Sequence, residues 1–252
     1  MTTVLQPLRW REYVLIGVAS IFSVVCVWLG IWQIHRLQER RAHNSIIAAR
    51  LTKPPIPVIQ LPRDTALAHY RRAIVHGQYD YTHELALIER TRDGSPGVYI
   101  ITPVKLPNTD TAVLVNRGWV YSPDGVHTDL TKWREADSLN ATGYVDLFEP
   151  KRAGISRSPS QPNAYRWLDA TVLQTALPYP VLPYIIILQG DTTTPPPGIP
   201  PRVSLPPLDE GPHTNYAIQW FSFALIAIVG TILFLIRARA QPQQPSGAGR
   251  WS

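Results

Sequence analysis

Two long apolar segments lie near the ends of the chain, and a more polar region separates them. Residues 13–34 and 216–236 contain no charged side chain. A helix of about 20 apolar residues crosses the hydrocarbon core of a bilayer, so both segments are predicted transmembrane helices. The first is longer than the apolar region of a signal peptide and ends without a small-residue cleavage site, which indicates an uncleaved anchor.

The region between these helices has mainly the short apolar alternation of β-strands. Strands are predicted at 73–79, 84–91, 98–101, 112–120, 141–148, 165–168 and 184–189. Residues 36–50 predict a charged helical extension of the first span that Pro54 ends, and 130–136 predicts a short helix. The links between consecutive strands are too short for repeated helical crossovers, which favours antiparallel pairing.

Residues 178–212 are rich in proline and are predicted to form an extended strap leading back to the membrane. Proline excludes a regular helix there, so Pro180 and Pro183 make the apolar patch around Ile185 a strand rather than a third span. The polar residues at the C-terminal end, within 237–252, predict disorder.

The predicted fold class is a membrane-anchored α+β protein, in which a two-helix transmembrane hairpin carries an antiparallel β-rich domain. That domain covers 35–215 and either closes in a barrel-like way or remains an open sheet. Basic residues dominate the tails 1–12 and 237–252, which predicts that both termini are cytoplasmic and that the domain is extracytoplasmic. The basic residues of the tails are Arg9, Arg11, Arg237, Arg239 and Arg250, set against Glu12.

Composition excludes several classes of function. The chain has 252 residues, a net charge of +6, one cysteine and one methionine. It therefore has no internal disulfide and almost no soft ligand for Cu(I). The basic charge lies partly in the tails and membrane flanks, which argues against a nucleic-acid partner. The histidines of the middle region lack metal-ligand spacing and no known catalytic motif occurs, so an enzyme is not expected; these histidines are His69, His76, His83 and His127.

Aromatic and polar side chains gather where both spans meet the outer interface. Trp28, Trp32 and Arg36 are spaced by four residues, so they form one stripe along the first helix. Tyr216 and Trp220 share a face of the second. These residues suit either an ordinary aromatic belt at the membrane surface or a ligand site between two helices.

Several motifs occur in an order that resembles the Surfeit locus protein family, the assembly factors of haem-copper cytochrome c oxidase. Gly30-Ile31-Trp32-Gln33-x-x-Arg36 ends the first span, and Asn116-Arg117-Gly118-Trp119-Val120 lies in the middle region. His213-x-x-Tyr216-Ala217-x-Gln219-Trp220-Phe221 opens the second span, and the resemblance extends from about residue 28 to 225. It implies a bacterial plasma-membrane protein that holds or presents haem a and stabilises oxidase subunit I during cofactor insertion. Haem a synthase or other respiratory-complex subunits, together with the lipid bilayer, are further expected partners.

The resemblance also implies a site. His213 is the expected metal ligand, and Trp32, Tyr216, Gln219 and Trp220 are expected to surround the haem. Two arginines are candidates to pair with its propionates, Arg36 and Arg117. For Arg117 the alternative is structural: a turn in which Gly118 takes a special backbone angle and Trp119 packs in the core.

Two other function classes remain open at this stage. The chain could be a stoichiometric accessory subunit of a respiratory complex or supercomplex, with the outer domain as a protein-binding module. A membrane-anchored enzyme is the third class, and metal bound to the outer domain would favour it.

Overall fold

A computed structural model describes residues 9–149, 153–190 and 196–240 of the chain. These residues form two compact units. The first contains the described residues up to Ser45 and from Asp209 onward, and the second contains Ile46–Leu208. The fold is α+β, with long helices at both ends of the described chain and a mixed eight-stranded sheet between them.

Two helices are long and apolar enough to cross a membrane. The first, α1, is Trp10–Leu51, so the predicted charged extension of the first span is confirmed. The last helix, α4, is His213–Ala240 and extends beyond the predicted span at both ends. His213 is therefore the first residue of α4 and does not precede it. The predicted disordered tail is helical as far as Ala240, and its remaining residues lie outside the described part of the chain.

Within the first unit, α1 and α4 run antiparallel and share a narrow seam. The buried residues of α1 recur every three or four positions, as expected for one helix face; they are Ser23, Cys26, Gly30, Gln33 and Leu37. On α4 the seam contains Ala217 and Ala224. A Cβ on Gly30 would lie 2.7 Å from the Phe221 ring, so a glycine is needed for this close approach.

Polar contacts continue the pairing of the helices beyond the apolar seam. Arg41 binds Glu210 with two parallel hydrogen bonds of 2.7 and 2.8 Å. Asn44 donates from its side-chain amide to the backbone oxygen of Asp209 at 2.8 Å. These contacts join the segment that leads into α4 to the part of α1 near the end of the first unit.

The described residues of the second unit form the end of α1, eight strands and two short α-helices. The strands are β1 Ile56–Pro57, β2 Arg72–Tyr79, β3 Leu85–Arg92, β4 Ser95–Lys105, β5 Ala112–Tyr121, β6 Ser138–Asp146, β7 Ala164–Tyr165 and β8 Val181–Leu188. The short α-helices are α2 Thr65–Ala68 and α3 Ala170–Ala176, each with an aspartate side chain capping its first turn. Three 3-10 turns are Val58–Gln60, Tyr81–His83 and Leu130–Trp133.

The sheet is mixed, so the predicted antiparallel pairing holds for part of it. Its strand order is β1-β2-β6-β8-β5-β4-β3-β7. The pairs β1–β2, β3–β7 and β5–β8 are parallel. The link from β1 to β2 spans residues 58–71 and includes α2, which is long enough for a crossover, and the other two parallel pairs join strands that do not follow one another. The strand β2 also pairs with β4, through Gln78–Lys105 and Tyr79–Val104. Barrel closure stays a prediction.

Both faces of the sheet carry buried apolar side chains, because side chains alternate along each strand. One face holds a cluster that includes Val75, Val104, Val115 and Ile186. The other is covered by α3 and contains Leu114, Ile185 and Leu173. The apolar patch around Ile185 is a strand, as its flanking prolines predict.

Candidate functional site

His213 and Gln33 meet in the seam between the two long helices. The Nδ1 atom of His213 lies 2.8 Å from Oε1 of Gln33. Gln33 is 8% exposed, whereas His213 is half-buried. Gln33 lies on the buried face of α1 and His213 is the first residue of α4, so the antiparallel pairing of the helices places one opposite the other.

The second ring nitrogen of His213 is open. Among the described residues, Nε2 of His213 has no hydrogen-bond partner. The backbone passes beside it at Gly211, whose φ is +68°, and a Cβ on this residue would lie 3.5 Å from Nε2. Glycine accepts this backbone angle without strain and leaves the ring edge uncovered. The site therefore presents one imidazole nitrogen.

The other predicted residues of α4 line the outside of the same helical turns. Tyr216 is 47% exposed, and Gln219 is also exposed. Trp220 is half-buried, and its ring meets Phe223 edge to face at 5.9 Å. An aromatic ring, that of Trp220, thus lies about two helical turns from His213 along α4.

The predicted residues of α1 are on its exposed side. Trp32 is 46% exposed, and Arg36 pairs with Glu39 at 2.7 Å. Within the described part of the chain, no hydrogen bond or ion pair joins Trp32 or Arg36 to His213. The structure therefore brings Gln33, rather than its neighbour Trp32, to the histidine.

The donor set at His213 fits haem better than a bare metal ion. No group of three or more His, Cys, Asp or Glu side chains that could hold a metal ion occurs among the described residues. A porphyrin already supplies four nitrogen ligands to its iron, so one axial imidazole suffices. His213 is the residue that would hold the iron. When bound, such a group would supply a redox-active iron.

Arg117, the other arginine predicted to meet propionates, lies in the second unit. Ile100 pairs with Gly118 and Ile101 pairs with Asn116, so Arg117 is the extra residue of a β-bulge in β5. Asn116 closes the bulge by accepting a hydrogen bond from the Gly118 N–H at 3.0 Å. A bulge redirects a side chain, and here it sends the arginine into the interior.

The Arg117 side chain is 0% exposed and lies in a network of charged groups. Its guanidinium donates to the Trp133 carbonyl and lies 3.5 Å from Glu84 and 3.9 Å from Glu135. Arg202 binds Glu135 with hydrogen bonds of 3.0 and 2.7 Å and also donates to the Arg117 carbonyl. The Arg117 side chain thus has no exposed surface in this structure, as the structural alternative expects.

The rest of the Asn-Arg-Gly-Trp motif agrees in part with that alternative. Gly118 has a φ of +148°, and a Cβ there would lie 2.4 Å from the Pro201 oxygen. The strap accepts a hydrogen bond from the Trp119 N–H at 2.9 Å through the same oxygen. Glycine is therefore required where the strap crosses β5. Trp119 itself is half-buried, so its predicted place in the core is wrong.

A second buried carboxylate, Asp80, holds together the end of β2 and the segment before β8. It is 7% exposed and lies within 3.1 Å of Lys105, His83 and Tyr179. Burial raises the pKa of Asp80, but the hydrogen bonds from Lys105, Tyr179 and His83 outweigh it and lower the pKa to about 2.

The stability of the folded domain is expected to depend on the ionisation of Asp80. Because its folded pKa is below the usual 3.8, the carboxylate contributes about 2 kcal/mol above pH 4. That contribution is lost as the pH falls through about 2. Between pH 5 and pH 2, wild type should lose about 2 kcal/mol more of its unfolding free energy than Asp80→Asn. Denaturant titration at each pH measures this difference.

A matched control for Asp80 is Asp93→Asn, since the Asp93 side chain is 92% exposed. This variant should follow the wild-type pH dependence. An Asp80→Asn protein whose unfolding free energy falls with pH as steeply as that of wild type would contradict the assignment.

Sequence reasoning did not single out Gln33, Glu84 or the Arg41–Glu210 pair. Gln33 did carry a signal, because it is an uncharged polar residue within an apolar segment and within a quoted motif. Glu84 and Arg41 gave no such signal in the sequence, because their partners are far away along the chain.

Comparison with known proteins places this architecture in a family. A model of the SURF1 family matches residues 20–225, which include both His213 and Gln33. A SURF1-like protein of Monosiga brevicollis is 27% identical over 215 residues, covering 81% of each chain. The cytochrome oxidase assembly protein SHY1 of Saccharomyces cerevisiae is 25% identical over 162 residues, which are 61% of this chain and 41% of the yeast protein. A SURF1-like protein of Rickettsia felis is 24% identical over 221 residues, covering 86% of this chain and 95% of its own.

The family match includes the end of α1, the whole second unit and the start of α4. It thus covers the bulge at Arg117 as well as the paired His213 and Gln33. The chain belongs to the SURF1 family.

Proposed function

We propose that this chain is a non-enzymatic assembly factor for haem-copper cytochrome c oxidase. In this role it holds or presents haem a and stabilises subunit I while the cofactor is inserted. The observation that carries the proposal is the family match over residues 20–225, in a family with a yeast member named as a cytochrome oxidase assembly protein.

The geometry of His213 supports the haem part of the proposal. One imidazole nitrogen is open, the other is hydrogen-bonded to Gln33, and both residues lie between apolar helices. A carrier needs a ligand that it can give up, and a single axial histidine with few other contacts suits transient holding better than a closed pocket does. Tyr216, Gln219 and Trp220 are the neighbouring side chains on α4 that would border the haem.

The helices support a membrane location for the same role. We propose that α1 and α4 both cross a bacterial plasma membrane, with both termini cytoplasmic and the second unit extracytoplasmic. Arginines at the two ends of the chain agree with this orientation, because basic residues favour the cytoplasmic side. Small residues on the helix surfaces, such as Gly17 and Gly230, leave room for the close approach of a helix of subunit I. Haem a synthase is the partner that would supply the cofactor.

Deletion of the gene tests the proposed function directly. In a bacterium that makes this chain and an oxidase with haem a, deletion should lower the haem a content of the membranes and the oxidase activity together. Re-expression of the wild-type chain should restore both. Unchanged haem a content and activity in the deletion strain would contradict the proposal.

The same strain separates a transient factor from an accessory subunit. Affinity purification through a tag on this chain should recover subunit I mainly from cells in which haem insertion is blocked. One copy of the chain in every fully assembled oxidase would instead show a stoichiometric subunit.

A further inference from the structure

Gln33 is a buried polar residue in the seam between α1 and α4, and a buried polar side chain needs a hydrogen-bond partner. It is 8% exposed in a seam otherwise formed by small and apolar side chains such as Cys26, Gly30 and Ala217. A buried amide without a hydrogen bond is costly, so its contact with His213 at 2.8 Å stabilises its position. The same contact determines the chemistry of the histidine.

A hydrogen bond to an amide oxygen decides which ring nitrogen carries the proton. The Oε1 atom of Gln33 can only accept, so Nδ1 of His213 must be the protonated nitrogen. Neutral imidazole has one N–H, which leaves the lone pair on Nε2. If the amide were turned so that its N–H faced the ring, the proton would be on Nε2 and no lone pair would be directed outward.

The open side of the ring agrees with this assignment. Nε2 has no hydrogen-bond partner among the residues that the structure describes, and Gly211 leaves its edge without a neighbouring side chain. A lone pair on Nε2 therefore has no hydrogen-bonding partner among the described residues, whereas one on Nδ1 would be directed at Gln33.

We propose that Gln33 is a positioning residue for His213, holding the imidazole as the Nδ1–H tautomer so that Nε2 is directed to a haem iron. The inference rests on the proposed haem role of His213. Groups that orient a metal-bound histidine through its second nitrogen usually change metal affinity about 10–100-fold when removed. Gln33 supplies that orientation from the opposite helix, so haem binding also depends on the pairing of α1 with α4.

The first measurement is independent of haem. Nitrogen-15 NMR of the full chain, labelled at histidine and held in detergent micelles, distinguishes the two neutral tautomers by their ring shifts. The signal of His213 is identified by its loss in His213→Ala. Wild type should show the Nδ1–H tautomer, and Gln33→Leu should show a mixture or the other form. An Nε2–H tautomer in wild type, or an unchanged pattern in Gln33→Leu, would overturn the inference.

The second measurement titrates haem a into the same detergent-purified proteins and follows the absorption spectrum. Gln33→Leu should bind about 10–100-fold more weakly than wild type, and Gln33→Glu, which keeps an acceptor at this position, should recover most of the affinity. Cys26→Ala is the control for packing, since Cys26 is a fully buried residue of the same helix face. It should bind haem like wild type, and an equal loss in Cys26→Ala would assign the effect to packing and overturn the inference.

The two measurements separate failure of this inference from failure of the proposed function. If both proteins bind haem a and Gln33→Leu binds it as tightly as wild type does, Gln33 has no role in haem binding and the carrier role remains. Wild type that binds no haem, but keeps an Nδ1–H tautomer that Gln33→Leu loses, would support the role of Gln33 on the ring while removing haem from the proposed function.

Discussion

Replacing His213 with alanine is expected to abolish the haem a absorption bands of the detergent-purified chain co-expressed with haem a synthesis. The imidazole is the one nitrogen ligand that the site presents, and its Nε2 atom has no other partner within the described residues. The loss should be nearly complete, because the nearby residues on α4 border the site without offering a comparable ligand. Absorption spectra of wild type and His213→Ala, taken at equal protein concentration, measure the effect.

A control for the His213 prediction is His35→Ala. His35 is an exposed histidine on α1, two residues beyond Gln33. Its removal tests whether loss of another histidine near the site also reduces haem binding. This variant should keep the haem bands. Equal haem content in His213→Ala and wild type would contradict the prediction. If both lack haem while subunit I still co-purifies, the function would belong to the protein-binding surfaces.

Replacing Arg117 with leucine is expected to have the largest effect on the stability of the β domain. The guanidinium is completely buried between Glu84, Glu135 and the aromatic rings of Tyr79 and Tyr81. Burial raises the pKa of Glu84, and Arg117 counters it. Removing one partner of a buried ion pair leaves an unpaired charge and costs about 3–5 kcal/mol. Thermal unfolding of the full chain in detergent, followed by tryptophan fluorescence, should show a fall of about 6 °C or more.

Two further variants test whether buried charge causes this loss. Arg166→Leu removes an arginine that pairs with Glu89 at 2.8 Å but is 37% exposed, so it should cost about 1 kcal/mol or less. Combining Arg117→Leu with Glu84→Gln removes both charges and should recover part of the stability. An Arg117→Leu protein that unfolds at the wild-type temperature would contradict the structural role of the bulge.

Much of the fold can be predicted from local patterns. The strands at 73–79, 112–120 and 184–189 were indicated by alternation and flanking turn residues, and each corresponds to an observed strand. The two apolar segments were indicated by their length and their lack of charged side chains, and both are helices. The parallel pairing of β5 with β8 was not predictable, because it joins segments far apart in sequence and leaves no periodic signal in either.

Of the two residues that meet at the candidate site, only His213 could be predicted from the sequence. His213 stands out as a histidine at the start of an apolar helix, and the resemblance added the expectation that it is a ligand. Which residue of α1 faces it depends on how α1 rotates against α4, and this rotation is set by the close contact of Gly30 with Phe221. A pattern of four-residue spacing selected Trp32 and Arg36, whereas the seam lies one residue further around the helix, at Gln33.

The place of β8 in the sheet has a consequence for how the domain is made. Among the described residues it is the last strand in sequence, yet it lies between β5 and β6. Until residues 181–188 have been synthesised, β5 and β6 each have an open edge lined by side chains that are buried in the folded domain, such as Val115 and Val145. Open apolar edges invite wrong pairing with other chains, and long-range closure is slow. The nascent domain should therefore be most vulnerable to aggregation and proteolysis just before its final strand arrives.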